Sequence, residues 1–415
     1  MASEVKMCLL CRGAKGLCGR PYCPVIAKNA ALIKVGRVIG KRELFGSSPP
    51  SVFVGRYGYP EVFAGPSTPP VTGDTSVYDL PERWLGLPLE RVLDYRLSMV
   101  TARGRVRVDR PERSRLVREL HELVLSVKPV DVEVRLRRPP KPALKLSDYE
   151  APQGPTAPLE EFKVVGGGGS AKVVEYVYGD VDLRALDAIL RLYEGRIPVT
   201  HIQRMLSVGA LGRGRSRRLV PTRWAITAVD DTISKHLIRG IKRAPLVNEY
   251  RVYARRYAKN LFVAVLIPGP WSFEWMEAWY PNSTWNPGGR VVVEGDWEGP
   301  LGRSTYASIG GCYYAARLAT SEHLASLGRQ ATAVVLREIY PGFNIPIGVW
   351  FVRENLRAMY KEGPILKTDS WGEVLDSLER VTDLGAGRWL ASSKLLAGSG
   401  HVSITDYLEG AGVEG

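Results

Sequence analysis

The chain has 415 residues, of which 45% are hydrophobic and 24% are charged, a composition typical of a globular protein with two or three domains. No stretch reaches the roughly 18 apolar residues of a membrane-spanning helix, so we expect no membrane partner. The net charge of +14 is unusual and predicts a polyanionic partner, for which DNA and nucleotide phosphates are the first candidates. A basic surface without such a partner is the plain alternative.

Four of the five cysteines lie near the start of the chain, with the spacing C-x2-C-x6-C-x4-C. That start lacks the apolar segment of a secretory signal, so we expect a cytoplasmic protein with reduced thiols. Clustered reduced thiols favour a metal over disulfides, and four thiolates close a tetrahedral structural zinc site. The sequence therefore predicts one structural zinc ion, Zn(2+), per chain, bound by Cys8, Cys11, Cys18 and Cys23.

Basic residues surround these cysteines, among them Lys6, Arg12, Lys15 and Arg20. They either balance the charge of −2 that zinc and four thiolates carry, or contact a phosphate backbone. The cysteine spacing matches neither ferredoxin pattern, which leaves an iron–sulfur cluster as the alternative to zinc.

The next elements alternate between strands and helices. Apolar alternation in residues 47–66, SSPPSVFVGRYGYPEVFAGP, predicts a strand, and GRYGYP within it predicts a sharp turn that exposes Arg56. Helical spacing follows in PLERVLDYRLSMV and PERSRLVRELHELVLSV, and residues 130–138 alternate as a strand. Proline and glycine dominate residues 139–170, which indicates either an interdomain linker or an ordered loop that crosses a domain face.

The second half of the chain continues this alternation. AKVVEYVYG predicts a strand, residues 182–194 an amphipathic helix, and GRGRSRR (212–218) is the densest positive run, before a helix predicted to start after Trp224. An antiparallel meander is predicted from strands at 249–257, 260–267 and 271–280. GGCYYAARLATSEHLASL predicts a helix, QATAVVLREIY a strand, and GVWFVRENLRAMY a strand end or a helix.

Short strands interspersed with helices predict an α+β fold with mixed or antiparallel sheets and packed helices. A small N-terminal zinc-binding knuckle and a flexible C-terminal tail complete it. The predicted segments are the knuckle at 1–45, an N-terminal α+β unit at 46–138, the crossing or linker at 139–170, the main α+β domain at 171–390 and the tail at 391–415.

Arginines recur beside aromatic residues and glycines. Glycines at a helix start leave N–H groups available to a phosphate, and arginine adds bidentate contacts. The predicted phosphate, nucleotide or DNA site comprises Arg56, Arg215, Arg217, Arg218, Arg223, Gly310, Gly311 and Arg317. An internal network of arginine–glutamate pairs and cation–π contacts is the alternative. The sequence has no phosphate loop, G-x-S-x-G elbow or H-E-x-x-H motif, and it assigns no reaction or catalytic residue.

The tail ends in a short amphipathic segment, HVSITDYL. Peptides that bind the sliding clamp (PCNA) have the form Q-x-x-[aliphatic]-x-x-[aromatic]-[aromatic]. Here His401 stands at the glutamine position, Ile404 at the aliphatic one, and Tyr407 and Leu408 at the last two. The pattern predicts a clamp-binding peptide with two departures, at His401 and Leu408.

The four cysteines, PPSVFVGRYGYPEV, LSVGALGRGRSRRLVPTRWAITAVDD, GGCYYAARLA, IPIGVWFVREN and the tail resemble the archaeal Nre family of DNA-repair proteins. The resemblance covers nearly the whole chain. It implies a role in DNA repair, a zinc-finger-like cysteine site and recruitment by the sliding clamp, but no agreed reaction.

Residues and resemblance together predict a repair protein that binds DNA through a basic surface and is recruited by the sliding clamp. The alternative is an enzyme that processes nucleotides or DNA ends, a nuclease or phosphoester hydrolase, with an arginine, glycine and tyrosine phosphate pocket.

Overall fold

The computed structural model describes residues 2–13, 15, 17, 18, 23, 40–141, 145–343 and 345–398. The chain divides into two compact units. The first unit comprises Cys11–Leu237 and Asn344–Asn355, and the second comprises Met1–Leu10, Ile238–Phe343 and Leu356–Gly415. Within the described residues, no helix is both long enough and apolar enough to cross a membrane.

The first unit is built on a six-stranded mixed sheet. Its strands are β1 (Glu43–Ser48), β2 (Ser51–Val54), β3 (Glu61–Thr68), β4 (Val100–Arg107), β5 (Val130–Leu136) and β6 (Thr156–Gly167). They lie in the order β1-β5-β6-β4-β3-β2, which places β2 at one edge. Neighbours run antiparallel except β4 and β6, which are parallel. β6 lies within residues 139–170, so part of that proline- and glycine-rich stretch is sheet.

The helices up to residue 241 follow in chain order. They are α1 (Ala2–Cys11), α2 (Leu89–Ser98), α3 (Arg115–Leu125), α4 (Lys172–Gly179), α5 (Ala185–Glu194), α6 (Val199–Ser207) and α7 (Thr222–Ile241). α1 belongs to the second unit except for Cys11, and α7 belongs to the first unit except for its last four residues. α3 shows why they form: the Ser114 hydroxyl accepts a hydrogen bond from the Val117 N–H and caps the helix start. Its apolar residues recur at helical spacing and are buried against the sheet.

The prediction of a strand in AKVVEYVYG is wrong, because this segment forms α4. Val174 and Val177, three residues apart, are its buried residues, so the β-branched side chains supply one face of a helix. Tertiary packing overrides their preference for strands here.

The second unit has its own six-stranded sheet. Its strands are β7 (Tyr250–Tyr257), β8 (Asn260–Ile267), β9 (Ser272–Trp279), β10 (Val292–Glu298), β11 (Thr332–Ile339) and β12 (Leu366–Thr368). The remaining helices are α8 (Gly311–Leu327), α9 (Trp350–Glu362), α10 (Trp371–Val381), α11 (Ala386–Ser392) and α12 (Lys394–Gly398). Two mixed sheets with packed helices confirm the α+β prediction.

The predicted meander is only partly correct. β7 and β8 pair antiparallel, but the order β10-β9-β11-β8-β7-β12 places β11 between β8 and β9. β11 runs parallel to β9, and a parallel pair requires a crossover connection, which here contains α8. The predicted helix in GGCYYAARLATSEHLASL and the strand in QATAVVLREIY are confirmed as α8 and β11, and the ambiguous GVWFVRENLRAMY contains α9.

Candidate anion-binding site

Four cationic side chains line one cavity of about 110 Å³ in the first unit. They are Arg12, Arg56, Lys145 and Arg223. Among the described residues that line this cavity, Glu150 is the one carboxylate. We call this space the cationic cavity. Its excess of positive charge suits an anionic ligand such as a phosphate.

The end of β2 and the start of α7 bring two of these arginines together. The Val54 N–H donates a hydrogen bond of 2.9 Å to the Thr222 hydroxyl, which ties the edge strand to the first residue of the helix. α7 begins at Thr222, two residues before Trp224, so Arg223 lies in the first helical turn. Arg56 follows β2 directly, and both arginines therefore reach the same cavity.

The two arginines are held by aromatic rings. The Arg223 guanidinium lies 4.0 Å from the centre of the Tyr149 ring, and within the described residues no carboxylate pairs with it. Arg56 donates a hydrogen bond of 2.8 Å from Nη2 to the Tyr57 hydroxyl and lies 4.7 Å from the centre of that ring. A ring positions a guanidinium without neutralising its charge.

The other two cations lie close to carboxylates. Arg12 is buried, with Nε 3.6 Å from Oδ2 of Asp148. Lys145 Nζ lies 3.5 Å from Oε2 of Glu150 and 4.7 Å from the centre of the Phe53 ring. These contacts fix both cations at the cavity wall.

Three exposed aromatic side chains follow the same segments, and we call them the aromatic patch. Tyr57, which also lines the cationic cavity, is 75% exposed, Tyr59 is 52% exposed and Trp224 is 49% exposed. The rings of Tyr59 and Trp224 have centroids 6.2 Å apart. Exposed rings beside arginines are the arrangement on which unpaired bases stack in single-strand binding proteins.

A second cavity, of about 70 Å³, adjoins the first, because Phe53 and Glu150 line both. We call it the deep cavity. Two arginines on its wall share one carboxylate: Oδ1 of Asp79 lies 2.5 Å from Arg96 Nη1, and Oδ2 lies 2.8 Å from Arg204 Nη2. Burial lowers the pKa of Arg96, and the Asp79 charge opposes that shift.

A third arginine on the deep-cavity wall is also balanced internally. Arg353 Nη1 lies 3.1 Å from Oδ1 of Asp230, and its Nε donates to Oε1 of Glu354 at 3.1 Å. The same Asp230 oxygen accepts a hydrogen bond of 3.0 Å from the Gln203 side-chain amide. The deep cavity is thus polar, and carboxylates balance the charges of its arginines.

The predicted basic loop separates into two kinds of arginine. Arg215 and Arg218 are exposed. Arg217 is half-buried and donates to the backbone oxygens of Tyr178 at 2.6 Å and Gly212 at 2.8 Å. Its guanidinium also lies over the Tyr178 ring, and burial lowers its pKa. The exposed pair is the part of this loop open to an external phosphate.

The remaining predicted phosphate residues belong to the second unit. Gly310, at a φ of 87°, precedes α8, and Gly311 is the first residue of that helix. Arg317 is 1% exposed, and its Nη1 donates to Oε2 of Glu298 at 2.7 Å. The structure brings Arg56 and Arg223 to one cavity and places the other three in this second unit.

Cys8 and Cys11 lie one turn apart in α1, while Cys18 is exposed and Cys23 is partly buried. Among the described residues, no three histidine, cysteine, aspartate or glutamate side chains lie close enough to hold a metal ion. The predicted clamp-binding residues, His401, Ile404, Tyr407 and Leu408, lie outside the described residues.

Sequence reasoning missed several residues of this site. Lys145, Tyr149 and Glu150 lie in the stretch interpreted as a linker or crossing, and Arg12 was noted only for its place beside the cysteines. The signal was present in KLSDYE, where charged and aromatic residues interrupt a run of proline and glycine. Side chains of this kind in an apparent linker indicate a loop that contacts a domain face.

These features define a two-unit α+β protein with a cationic cavity beside exposed aromatic rings. Family models described as "Archaeal Nre, N-terminal" and "Archaeal Nre, C-terminal" match residues 17–286 and 298–407. The chain therefore belongs to the archaeal Nre family, which confirms the resemblance.

Three relatives share most of their length with this chain. The DNA repair protein NreB of Archaeoglobus fulgidus is 49% identical over 97% of this chain and 100% of its own. The DNA repair protein NreA of the same organism is 34% identical, over 93% and 96%. The DNA repair protein NreA of Haloferax volcanii is 33% identical, over 86% and 87%. No solved structure matches the chain.

Proposed function

We propose that this protein acts in DNA repair by binding DNA phosphates at the cationic cavity, with bases stacked on the aromatic patch. The observation that carries the proposal is the convergence of Arg12, Arg56, Lys145 and Arg223 on one cavity. The names of the relatives, which are DNA repair proteins, support the role.

The charge distribution supports contact with a strand rather than with a single ion. The exposed Arg215 and Arg218 add positive charge outside the cavity, and the chain as a whole carries +14. Phosphate contacts release condensed counterions, so affinity for DNA falls as salt rises. Stacking on Tyr57, Tyr59 and Trp224 adds an interaction that depends little on sequence.

The test is the salt dependence of DNA affinity for the double variant Arg56→Ala/Arg223→Ala. We expect weaker binding and a log–log salt slope that is smaller by about 1.4–1.8, the value for two lost phosphate contacts. Arg135→Ala is the matched control, since β5 is separated from β2 by three strands of the same sheet. An unchanged slope in the double variant, or equal losses in both proteins, would place the DNA site elsewhere.

We also propose that Cys8, Cys11, Cys18 and Cys23 bind one structural zinc ion. Their spacing and thiolate chemistry suit tetrahedral zinc, and Cys8 and Cys11 share one face of α1. Metal binding and local folding are coupled in such short segments, so zinc is expected to draw the four thiolates together. Elemental analysis should give one zinc per chain, lost in Cys11→Ser; metal-free protein with an intact fold contradicts the proposal.

Recruitment by the sliding clamp is the third part of the proposal. Ile404, Tyr407 and Leu408 form one apolar face if the segment turns as a helix, with Tyr407 as the aromatic anchor. His401 supplies one hydrogen bond where glutamine supplies two, so we expect roughly micromolar affinity, about −8 kcal/mol.

The clamp experiment compares the full chain with a chain that lacks residues 400–415 and with Tyr407→Ala. Both changes should abolish binding to the purified clamp and leave the unfolding temperature of the protein unchanged. Val402→Ala, at a position the motif leaves unspecified, is the control. Clamp binding by Tyr407→Ala at the original affinity would exclude this peptide as the docking segment.

A further inference from the structure

We propose that the two adjoining cavities together hold one nucleotide, with its phosphate in the cationic cavity and an amino-bearing base in the deep cavity. The proposal rests on the proposed function, because it assigns the cationic cavity the same phosphate chemistry. It adds a base-reading compartment and names the side chains that form it.

The deep cavity is suited to a neutral polar group. Three arginines on its wall are matched by three carboxylates. Asp79 pairs with Arg96 and Arg204, and Asp230 and Glu354 both pair with Arg353. Because these charges are compensated within the wall, a second phosphate would find little uncompensated positive charge there. The cationic cavity next to it has the opposite character, with four cations and one carboxylate in its lining.

Three side chains on the deep-cavity wall each have an oxygen atom that accepts no hydrogen bond from the described residues. They are Oγ of Ser51, Oε1 of Glu150 and Oε1 of Gln203. Each of these residues is less than 9% exposed. Because they line the cavity, these oxygen atoms are available to a polar group that enters it.

The chemistry of these atoms selects the kind of base. A carboxylate and an amide oxygen only accept hydrogen bonds, and a hydroxyl can do so. Adenine, cytosine and guanine present an exocyclic amine to such acceptors, whereas thymine presents two carbonyl oxygens beside a single N–H. We therefore expect the deep cavity to favour the three amino-bearing bases over thymine.

The placement of the cavities agrees with one nucleotide. The deep-cavity volume of about 70 Å³ is several times the roughly 10–15 Å³ that one water requires, so it has room for a polar group larger than water. Phe53 and Glu150 line both cavities, and the stacked pair of Arg223 and Tyr149 places one member on each wall. The phosphate and base compartments therefore adjoin each other.

The nucleotide has two possible sources, a free nucleoside monophosphate or a residue of a strand. A base within duplex DNA has to leave the stack to enter a buried pocket, and an unpaired base does so at the lowest cost. The exposed rings of Tyr59 and Trp224 can hold neighbouring bases of such a strand.

Calorimetric titration of the full chain with dAMP, dCMP, dGMP, dTMP and inorganic phosphate tests the base compartment. We expect the three amino-bearing nucleotides to bind at least about tenfold more tightly than dTMP or phosphate. Glu150→Ala removes one of the three acceptors and should narrow this difference while phosphate binding persists, since the arginines remain. The control is Glu133→Ala, an exposed change on β5.

Duplexes with one unpaired adenosine or thymidine, and a fully paired duplex, distinguish the sources. A preference for the unpaired adenosine that is reduced in Glu150→Ala supports the proposal with the nucleotide taken from a strand, even if free nucleotides bind weakly. Equal affinity for every nucleotide, phosphate and both bulged duplexes overturns it and leaves phosphate binding by the cationic cavity intact. Base discrimination without salt-dependent DNA binding would support the nucleotide site and reject the DNA role.

Discussion

Arginines beside tyrosines occur in both units, and they serve different purposes. In the second unit Arg317 is buried against Glu298 at 2.7 Å, with the Tyr314 ring 5.4 Å away. In the first unit Arg223 lies over Tyr149 at the wall of a cavity, without a carboxylate partner in the described chain. What separates the structural Arg317 from the arginine that we propose binds a ligand is a buried carboxylate contributed by a distant strand.

The same contrast holds for a second pair. Arg337 on β11 is buried and donates to Oε1 of Glu277 on β9 at 3.0 Å, and also to the Asn260 side chain. Buried guanidinium groups of this kind have their donors committed, and losing one partner leaves a charge without compensation. An arginine held by a ring keeps its donors available, so removing it affects ligand binding more than stability.

The largest expected effect is that of Arg317→Ala. Removing this arginine leaves Glu298 buried without its partner, which should lower the free energy of unfolding by about 3–5 kcal/mol. Urea unfolding measures the loss, with DNA affinity of the folded protein expected to stay unchanged. Arg380→Ala, an exposed position on α10, is the control and should cost less than about 0.5 kcal/mol. A loss as small as that of the control would remove the distinction between the two arginines.

The second prediction uses one histidine from each unit, the buried His201 and the partly buried His323. Burial lowers the pKa of His201 and of His323 to about 4, against an ordinary value of 6.5. Between these values the unfolded chain binds protons that the folded chain does not, so stability falls as the pH is lowered from about 6.5 to 4. Each histidine contributes up to about 1.4 kcal/mol per pH unit, which amounts to roughly 3 kcal/mol per histidine over this pH range.

Urea unfolding at several pH values checks this slope. His201→Gln should reduce the slope by the contribution of one proton, and His323→Gln should do the same for the second unit. His236→Gln, at a partly exposed position on α7, controls for the substitution itself. Unchanged slopes in the His201→Gln and His323→Gln variants would mean that these histidines are protonated equally in the folded and unfolded states.

Local periodicity predicted much of the fold but little of the site. The helical spacing of α8 and the alternation in β7, β8 and β11 were readable because each pattern depends on neighbours in sequence. The insertion of β11 between β8 and β9 was not, since strand order depends on a crossover that follows later in the chain. Likewise, Glu298 precedes Arg317 by 19 residues, and no spacing rule links them.

The cationic cavity shows the same limit. Arg56 and Arg223 were predicted as candidate phosphate ligands from their neighbours in sequence. They are 167 positions apart, and the Val54–Thr222 hydrogen bond brings their two segments to the same cavity. Lys145 and Glu150 were missed because proline and glycine dominate their surroundings. The sequence identified arginine as the kind of side chain that lines the cavity, and tertiary contacts determine which arginines come together there.

The third prediction is that Arg223→Ala weakens binding of inorganic phosphate and DNA by about 1.5–3 kcal/mol, the value for a hydrogen bond to a charged group. Its effect on the free energy of unfolding should stay below about 1 kcal/mol, because its guanidinium lies over the Tyr149 ring and, among the described residues, pairs with no carboxylate. Arg223→Lys keeps the charge but loses the planar donors and should bind with intermediate affinity. Fluorescence anisotropy with labelled DNA measures the loss. Destabilisation as large as that of Arg317→Ala would make Arg223 a structural arginine too.

The smallest effects are expected in the basic loop, which contains both kinds of arginine within four residues. Arg215 and Arg218 are exposed, so Arg215→Ala and Arg218→Ala should leave stability within about 0.5 kcal/mol. Each should lower the salt slope of DNA binding by about 0.7–0.9 where its side chain contacts a phosphate.

Arg217→Ala is the matched comparison within this loop. It removes the hydrogen bonds to Tyr178 and Gly212 and should cost about 1 kcal/mol of stability, with the salt slope unchanged. The measurements are the unfolding temperature and DNA affinity at several salt concentrations for all three variants. A slope that falls for Arg217→Ala and not for its exposed neighbours would reverse the assignment, because a guanidinium bound to backbone oxygens would then have to leave them to reach DNA. The expected result instead assigns Arg217 to the structure of the loop and its exposed neighbours to phosphate contact. The criterion is the same as for Arg317 and Arg223: whether the guanidinium is already bound within the protein.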